Sequence, residues 1–176
     1  MTLFVGAIPG ILVAFVLALI NLAKRAANPA IDVLESTGEP SESLLEEAPA
    51  GTTTAPGVIV IRLAAPLFFA NASVFTAAVK RAVTSADGPP VRHLVLDMEA
   101  VTDVDVTGAE AFEAREQWLA DKDVALAFSR VRPVVRARLE HLDLLAGQRV
   151  FDTNRSALTT LAAGPDLRPR GPSTIA

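Results

Sequence analysis

Cysteine and tyrosine are absent from this chain, tryptophan occurs once and histidine twice among 176 residues. Without thiols there is no disulfide framework, no thiolate metal site and no cysteine nucleophile. His93 and His141 are far apart and neither stands at ligand spacing to another donor. Both read as structural or surface residues, and no metal site is expected. An excess of positive charge is lacking too. The net charge is −4 and the isoelectric point about 5.2, so nothing draws the chain generally to phosphates, and nucleic acid is not an expected partner. The sequence holds neither a Walker-type glycine loop nor a serine in a nucleophile elbow. No catalytic residue and no cofactor is expected.

Apolar residues make up 51% of the chain, and they are unevenly spread. From Leu3 to Ala23 the one polar side chain is Asn21, and Lys24 and Arg25 follow at once. About 20 apolar residues at 1.5 Å rise cover the roughly 30 Å of a hydrocarbon core. Residues 1–27 therefore read as a transmembrane helix whose basic exit faces the cytoplasm by the positive-inside bias. A signal peptide would need a positive n-region, which Met1 and Thr2 do not supply. A buried helix of a soluble domain would need a polar face, and this block has none. Gly6, Pro9 and Gly10 suit a spanning helix that packs closely against others.

Residues 28–55 change character. ESTGEPSESLLEEAPAGTTTAP offers little to bury, which predicts a flexible acidic linker. Residues 56–164 have the size of one compact domain. The run Val58–Leu63 is β-branched and strand-like, and after Pro66 the triplet Leu67–Phe69 reads as a second short strand. Asn71 is placed to cap a helix through about Ala82, with Val74, Ala77, Ala78 and Val83 at helical spacing. His93–Asp97 reads as a central strand. A helix is expected over 107–119, a strand over 123–128, a third helix carrying Val135, Leu139 and Leu142, a strand at Val150–Phe151, and a last helix capped by Thr153 or Asn154. Such alternation predicts an α/β domain with a mostly parallel sheet and a hairpin-like β–β start. Residues 165–176 read as a disordered tail.

Three stretches carry a family resemblance. PGVIVIRLAAPLFFANA (56–72) resembles the opening of the STAS domain (sulfate transporter and anti-sigma-factor antagonist) of sulfate permeases. LVLDMEAVTDVDVTGAEAF (94–112) is similar to the family's strand, acidic loop and helix start, and GILVAFVLALINLAKRAANP resembles the last membrane helix of these transporters. The resemblance implies a STAS-like four- to five-stranded, mostly parallel sheet with flanking helices, preceded by a single transmembrane helix and lying in the cytoplasm at the inner membrane. It implies the C-terminal regulatory part of a sulfate permease-like anion transporter, truncated so that it cannot transport alone, with the remaining transporter helices or a partner transporter chain as its natural companions. In soluble members a serine after the loop aspartate is phosphorylated. Here Asp97 and Asp105 match the loop acids, Thr107 and Gly108 match the end of the motif, and Val106 takes the serine's place. Valine has no hydroxyl, so the usual switch is lost, leaving Thr107 as the alternative site, although a helix-start threonine is more often a cap. The resemblance also implies a nucleotide or a regulatory protein as a partner, with amide groups near Gly108 favouring an anion.

Other clusters have simpler readings. Arg130, Arg132, Arg136 and Arg138 surround the start of the third helix and could hold a phosphate or an acidic lipid headgroup. The competing reading is solvated arginines balanced by Glu140 and Asp143. Glu110, Glu113 and Glu116 read as a wet helix face, and Trp118 as packing.

Overall fold

A computed structural model describes residues 3–34 and 51–162. Its elements are α1 (Leu3–Ala27), β1 (Ile31–Val33), β2 (Val58–Leu63), α2 (Ala72–Thr84), β3 (His93–Asp97), α3 (Val106–Ala120), β4 (Ala125–Ser129), α4 (Pro133–His141), β5 (Arg149–Phe151) and α5 (Asn154–Ala162). The tail and residues 35–50 of the expected linker lie outside the described residues.

The strands stand in chain order, with β1 antiparallel to β2 and every later pair parallel. Parallel neighbours need a crossover, and right-handed crossovers running one way along a sheet put their helices on one side. Accordingly α2, α3 and α4 share a core with Ile59, Ile61, Leu94, Leu96, Leu126 and Phe128. Phe75, Phe112 and Phe128 meet edge to face, with ring centres 5.1 and 5.9 Å apart. The alternate residues Val58, Val60, Val95 and Ala127 face the other way and are covered by Leu34 and by Ala157 and Leu161 of α5.

Three expectations are corrected. Leu67–Phe69 is not a strand. Leu67 makes a lone bridge to Val104, and the hairpin-like start is built by β1 and β2. The polar linker likewise does not begin at residue 28. Ile31, Asp32 and Val33 pair with Leu63, Arg62 and Ile61, and Leu34 is buried. Three apolar side chains in IDVL were enough to form an edge strand once β2 offered its free side, although they stand beside an acidic stretch. The strand expected from Asp123 begins at Ala125, because Asp123 turns with a positive φ of 59°.

Helix α1 contains one stretch, Pro9–Ala27, long and apolar enough to cross a membrane, and none of it is buried against the domain. Only Asn28, Pro29 and Ala30 separate α1 from β1.

Candidate functional site

Arg62, the last residue but one of β2, and Asp97 and Ser129, the last residues of β3 and β4, are register partners. Their side chains therefore share the α5 face of the sheet. Asp97 is fully buried, and its Oδ2 accepts from Arg62 Nε and Nη2 at 3.0 Å and from Asn154 Nδ2 at 2.9 Å. Arg130 Nη1 stands 3.6 Å away, and Asp97 Oδ1 accepts from the Glu99 amide at 3.1 Å. Ser129 Oγ donates to Asn154 Oδ1. A buried carboxylate survives only with such compensation. The network lies at the carboxyl ends of parallel strands, where open α/β sheets place their working loops. Thr153, not Asn154, caps α5 by accepting from the Ser156 amide at 3.0 Å, which leaves the Asn154 side chain for Asp97.

Loop 98–105 continues from Asp97. Asp105 caps α3, its Oδ1 accepting from Gly108 N at 2.7 Å. Gly108 is thus not a free anion donor, and Thr107 is not the cap. Thr107 and Val106 are both exposed at the first turn of α3. Gly108 is buried because the helix start presses on the chain at Leu67, and an added Cβ would lie 2.7 Å from the Leu67 carbonyl oxygen. That carbonyl also accepts from the Asp105 amide at 3.1 Å, and the Leu67 amide donates to Asp103 O at 3.0 Å. Asp97 and Asp105 therefore act at different places, one under α5 and one on α3, and do not converge in one pocket.

The arginines hold this loop. Arg130, with φ of 57°, pairs with Glu99 as well as Asp97. Arg132 Nη2 donates to Val101 O at 2.8 Å, and Arg138 Nε donates to Val104 O at 3.1 Å. Arg136 lies apart, lining a shallow depression with Glu140 and Asp143. The expected anion-binding arginine cluster is thus divided between loop bracing and an acidic surface.

Asn71 was expected as a cap and is instead a joint. Its side chain makes no cap bond. It is fully buried, its Oδ1 accepts from the Phe68 amide at 3.0 Å, and its Nδ2 donates to Pro66 O at 2.8 Å and to Ala26 O of α1 at 3.4 Å. Helix α1 is tied to the start of α2. Sequence reasoning also passed over Arg62, although a lone charge inside VIVIRL was a visible signal, and it took Asn154 only as a candidate cap.

At the opposite end of the sheet, His93, Glu116, Gln148 and Arg149 help line a cavity of about 230 Å³. Glu116 accepts from Gln148 Nε2. Loss of solvent raises the Glu116 carboxyl above its ordinary 4.5, and the nearby Glu113 adds to this while Gln148 opposes it. A carboxyl held up in this way stabilises the fold below pH 4.5 and loses that contribution as pH rises through the raised value. Glu116→Gln is expected to melt higher than the parent above that window and equally below it. Melting curves across the acid range check this, and parallel curves at every pH would refute it.

The comparisons agree with this geometry. The STAS domain model matches residues 50–157. The chain belongs to the STAS-domain family. Its curated relatives are sulfate transporters: a Mycobacterium tuberculosis protein named "Probable sulfate transporter" is 32% identical over 143 residues, 80% of this chain and 25% of the relative. High affinity sulfate transporter 2 of Stylosanthes hamata is 28% identical over 60% of this chain and 17% of the relative. The chain thus spans a quarter or less of the length of these relatives. Among solved structures, the murine Slc26a9 anion transporter in its inward-facing state superposes with a TM-score of 0.69 at 20% identity, over 88% of this chain and 26% of that one. The unphosphorylated anti-sigma factor antagonist SpoIIAA does so with a TM-score of 0.54 at 16% identity, over 78% of this chain and all of that one. At these identities the two structures establish the fold alone, and the sequence relatives point to the C-terminal STAS part of a sulfate permease.

Proposed function

We propose that this chain is the cytoplasmic regulatory and interaction module of a sulfate permease-like anion transporter, anchored in the inner membrane by α1. The observation that carries this reading is the joint between helix and sheet. Three residues connect α1 to β1, the Ala64 amide donates to Ala30 O at 3.1 Å, and Asn71 holds Ala26. A displacement of α1 therefore reaches the edge strand and α2 directly, and a partner bound to the domain can bias α1 in return. The module does no chemistry on this reading, because the buried Asp97 carboxylate is spent on Arg62 and Asn154. Carriers of this kind bind substrate at midplane between repeats, so the anion's path belongs to further spans, in the same polypeptide or in partner chains. Proteoliposomes holding this chain alone should take up no more sulfate than empty vesicles, and clear uptake would overturn the assignment. A reporter fused after Ala176 should be active only in its cytoplasmic form.

Asn71→Ala tests the joint. It strands the Phe68 amide and two carbonyls, and is expected to cost about 1–2 kcal/mol. Faster hydrogen exchange at the Phe68 amide is the local signature, and unchanged exchange there would show that Asn71 does not hold the turn.

A second reading rests on Thr107, whose exposed position at the first turn of α3 leaves its hydroxyl open to modification. Phosphate there would sit at the positive end of the helix but beside Asp103 and Asp105. Intact-mass measurement on protein from its native cell decides whether it is phosphorylated.

A further inference from the structure

Asp97 and Arg115 are the two buried charged side chains among the described residues. Asp97 accepts from Arg62, from Asn154 and from the Glu99 amide. Arg115 has no such company. It stands on the inward stripe of α3, between Phe112 and Leu119, and only 9% of it is exposed. Its Nε and Nη1 are sealed from solvent and meet no hydrogen-bond acceptor. None of the ion pairs among the described residues includes it.

Its guanidinium does meet Trp118, with Cζ 5.5 Å from the ring centre. An indole face offsets part of the cost of a buried cation. The same ring also has Lys80 Nζ at 5.9 Å, so a second positive charge is added rather than a negative one. A buried donor left without an acceptor costs free energy, and more so on a charged group. That cost falls on one seam. Helices α2 and α3 meet at Phe75 and Phe112 and again, further along both, at Lys80 and Trp118. Arg115 lies between these two contacts along α3. Separating the helices there returns the guanidinium to water and restores its missing hydrogen bonds. The strands gain nothing comparable by parting, because the buried charge at their ends is paired. Helix α2 is also the one that Asn71 joins to Ala26 of α1.

We infer that the α2–α3 seam is the yielding joint of the domain. Helix α2 lifts from α3 while the sheet stays closed, and the unpaired Arg115 guanidinium sets how readily it does so. A movement that α1 passes to α2 is then taken up in this seam. That last step rests on the proposed coupling through α1, whereas the opening itself does not.

The chain has no cysteine, so a single buried thiol reports opening at one place. Val79→Cys puts it under α2 and Val95→Cys in the central strand, and both positions are fully buried. Labelling by a water-soluble aromatic disulfide reagent is timed on the full chain in micelles, with Arg115 intact and with Arg115→Met. The thiol at 79 is expected to label at least about tenfold faster than that at 95, since a local opening lies below global unfolding in free energy. Arg115→Met removes the unsatisfied donors. It is expected to slow labelling about tenfold at 79 and as much at 95, because the guanidinium reaches water in both openings. A thiol at 79 no faster than at 95 would mean that the seam does not open by itself. Slowing at 95 alone would mean that the opening leaves Arg115 enclosed, and slowing at neither that its burial costs nothing. Each of these three results overturns the inference, and none depends on sulfate transport.

Discussion

Replacing Asp97 by alanine is expected to cost about 3–5 kcal/mol of folding free energy, the range for removing one partner of a buried ion pair. The cost arises because several donors converge on one buried carboxylate and lose it together. Arg62 directs Nε and Nη2 at a single carboxylate oxygen, its side chain is only 15% exposed, and Arg130 stands 3.6 Å from the same atom. Without Asp97 the Asn154 amide and the Glu99 amide also lose their acceptor. The loss should fall on the parallel sheet and on α5 together, because the network joins β2, β3 and β4 to the first residue of α5. Denaturation of the full chain in micelles measures it. Arg62→Leu combined with Asp97→Leu removes both charges, and is expected to recover much of the loss, since paired apolar replacements of a buried ion pair are often tolerated. A double variant no better than Asp97→Ala would mean that the damage is steric and that the charge account is wrong.

Gly108→Val is expected to cost about 3 kcal/mol, at the upper end for overpacking, since the obstacle is backbone. Even a bare Cβ would meet the Leu67 oxygen at 2.7 Å and its carbonyl carbon at 3.1 Å. To make room, α3 must lift from the Leu67–Val104 bridge, and the Asp105 cap must open with it. Trp118, whose ring has Lys80 Nζ at 5.9 Å and Arg115 Cζ at 5.5 Å from its centre, is a built-in optical probe of that movement. A change within about 0.5 kcal/mol, the scatter of ordinary surface substitutions, would show that the contact relaxes freely.

Much of the fold was legible because the buried strands are short apolar runs between turn residues, and HLVLD and VIVIRL announce themselves. The helices starting at Ala72, Val106 and Pro133 followed from spacing and from Asn, Asp and Pro near their starts. What failed was of another kind. IDVL is too short to stand out beside an acidic stretch, and it becomes a strand through a partner more than twenty residues on in the sequence. LFF has strand-like composition but finds one bridging neighbour, so its backbone turns. Of the candidate site, Asp97, Asp105 and Gly108 were identified by position while their work was not. Nothing in the order of residues shows that Gly108 faces a carbonyl or that three arginines reach for loop oxygens. Asn71 looked like a cap because asparagine before a helix usually is one, and the nearby carbonyls of the turn and of α1 claimed its side chain instead.

The placement of β1 also separates two lengths that a simple tether would confound. Residues 35–50 follow β1 and precede β2 in the chain, and Thr54 Oγ1 donates to Leu34 O at 2.6 Å, so chain can be added or removed between Leu34 and Gly51 while the three residues between α1 and β1 stay the same. Loop closure is only weakly sensitive to such changes. Insertions at 35–50 should therefore leave the coupling of helix to sheet intact, whereas even a short insertion at Asn28–Ala30 should uncouple the two.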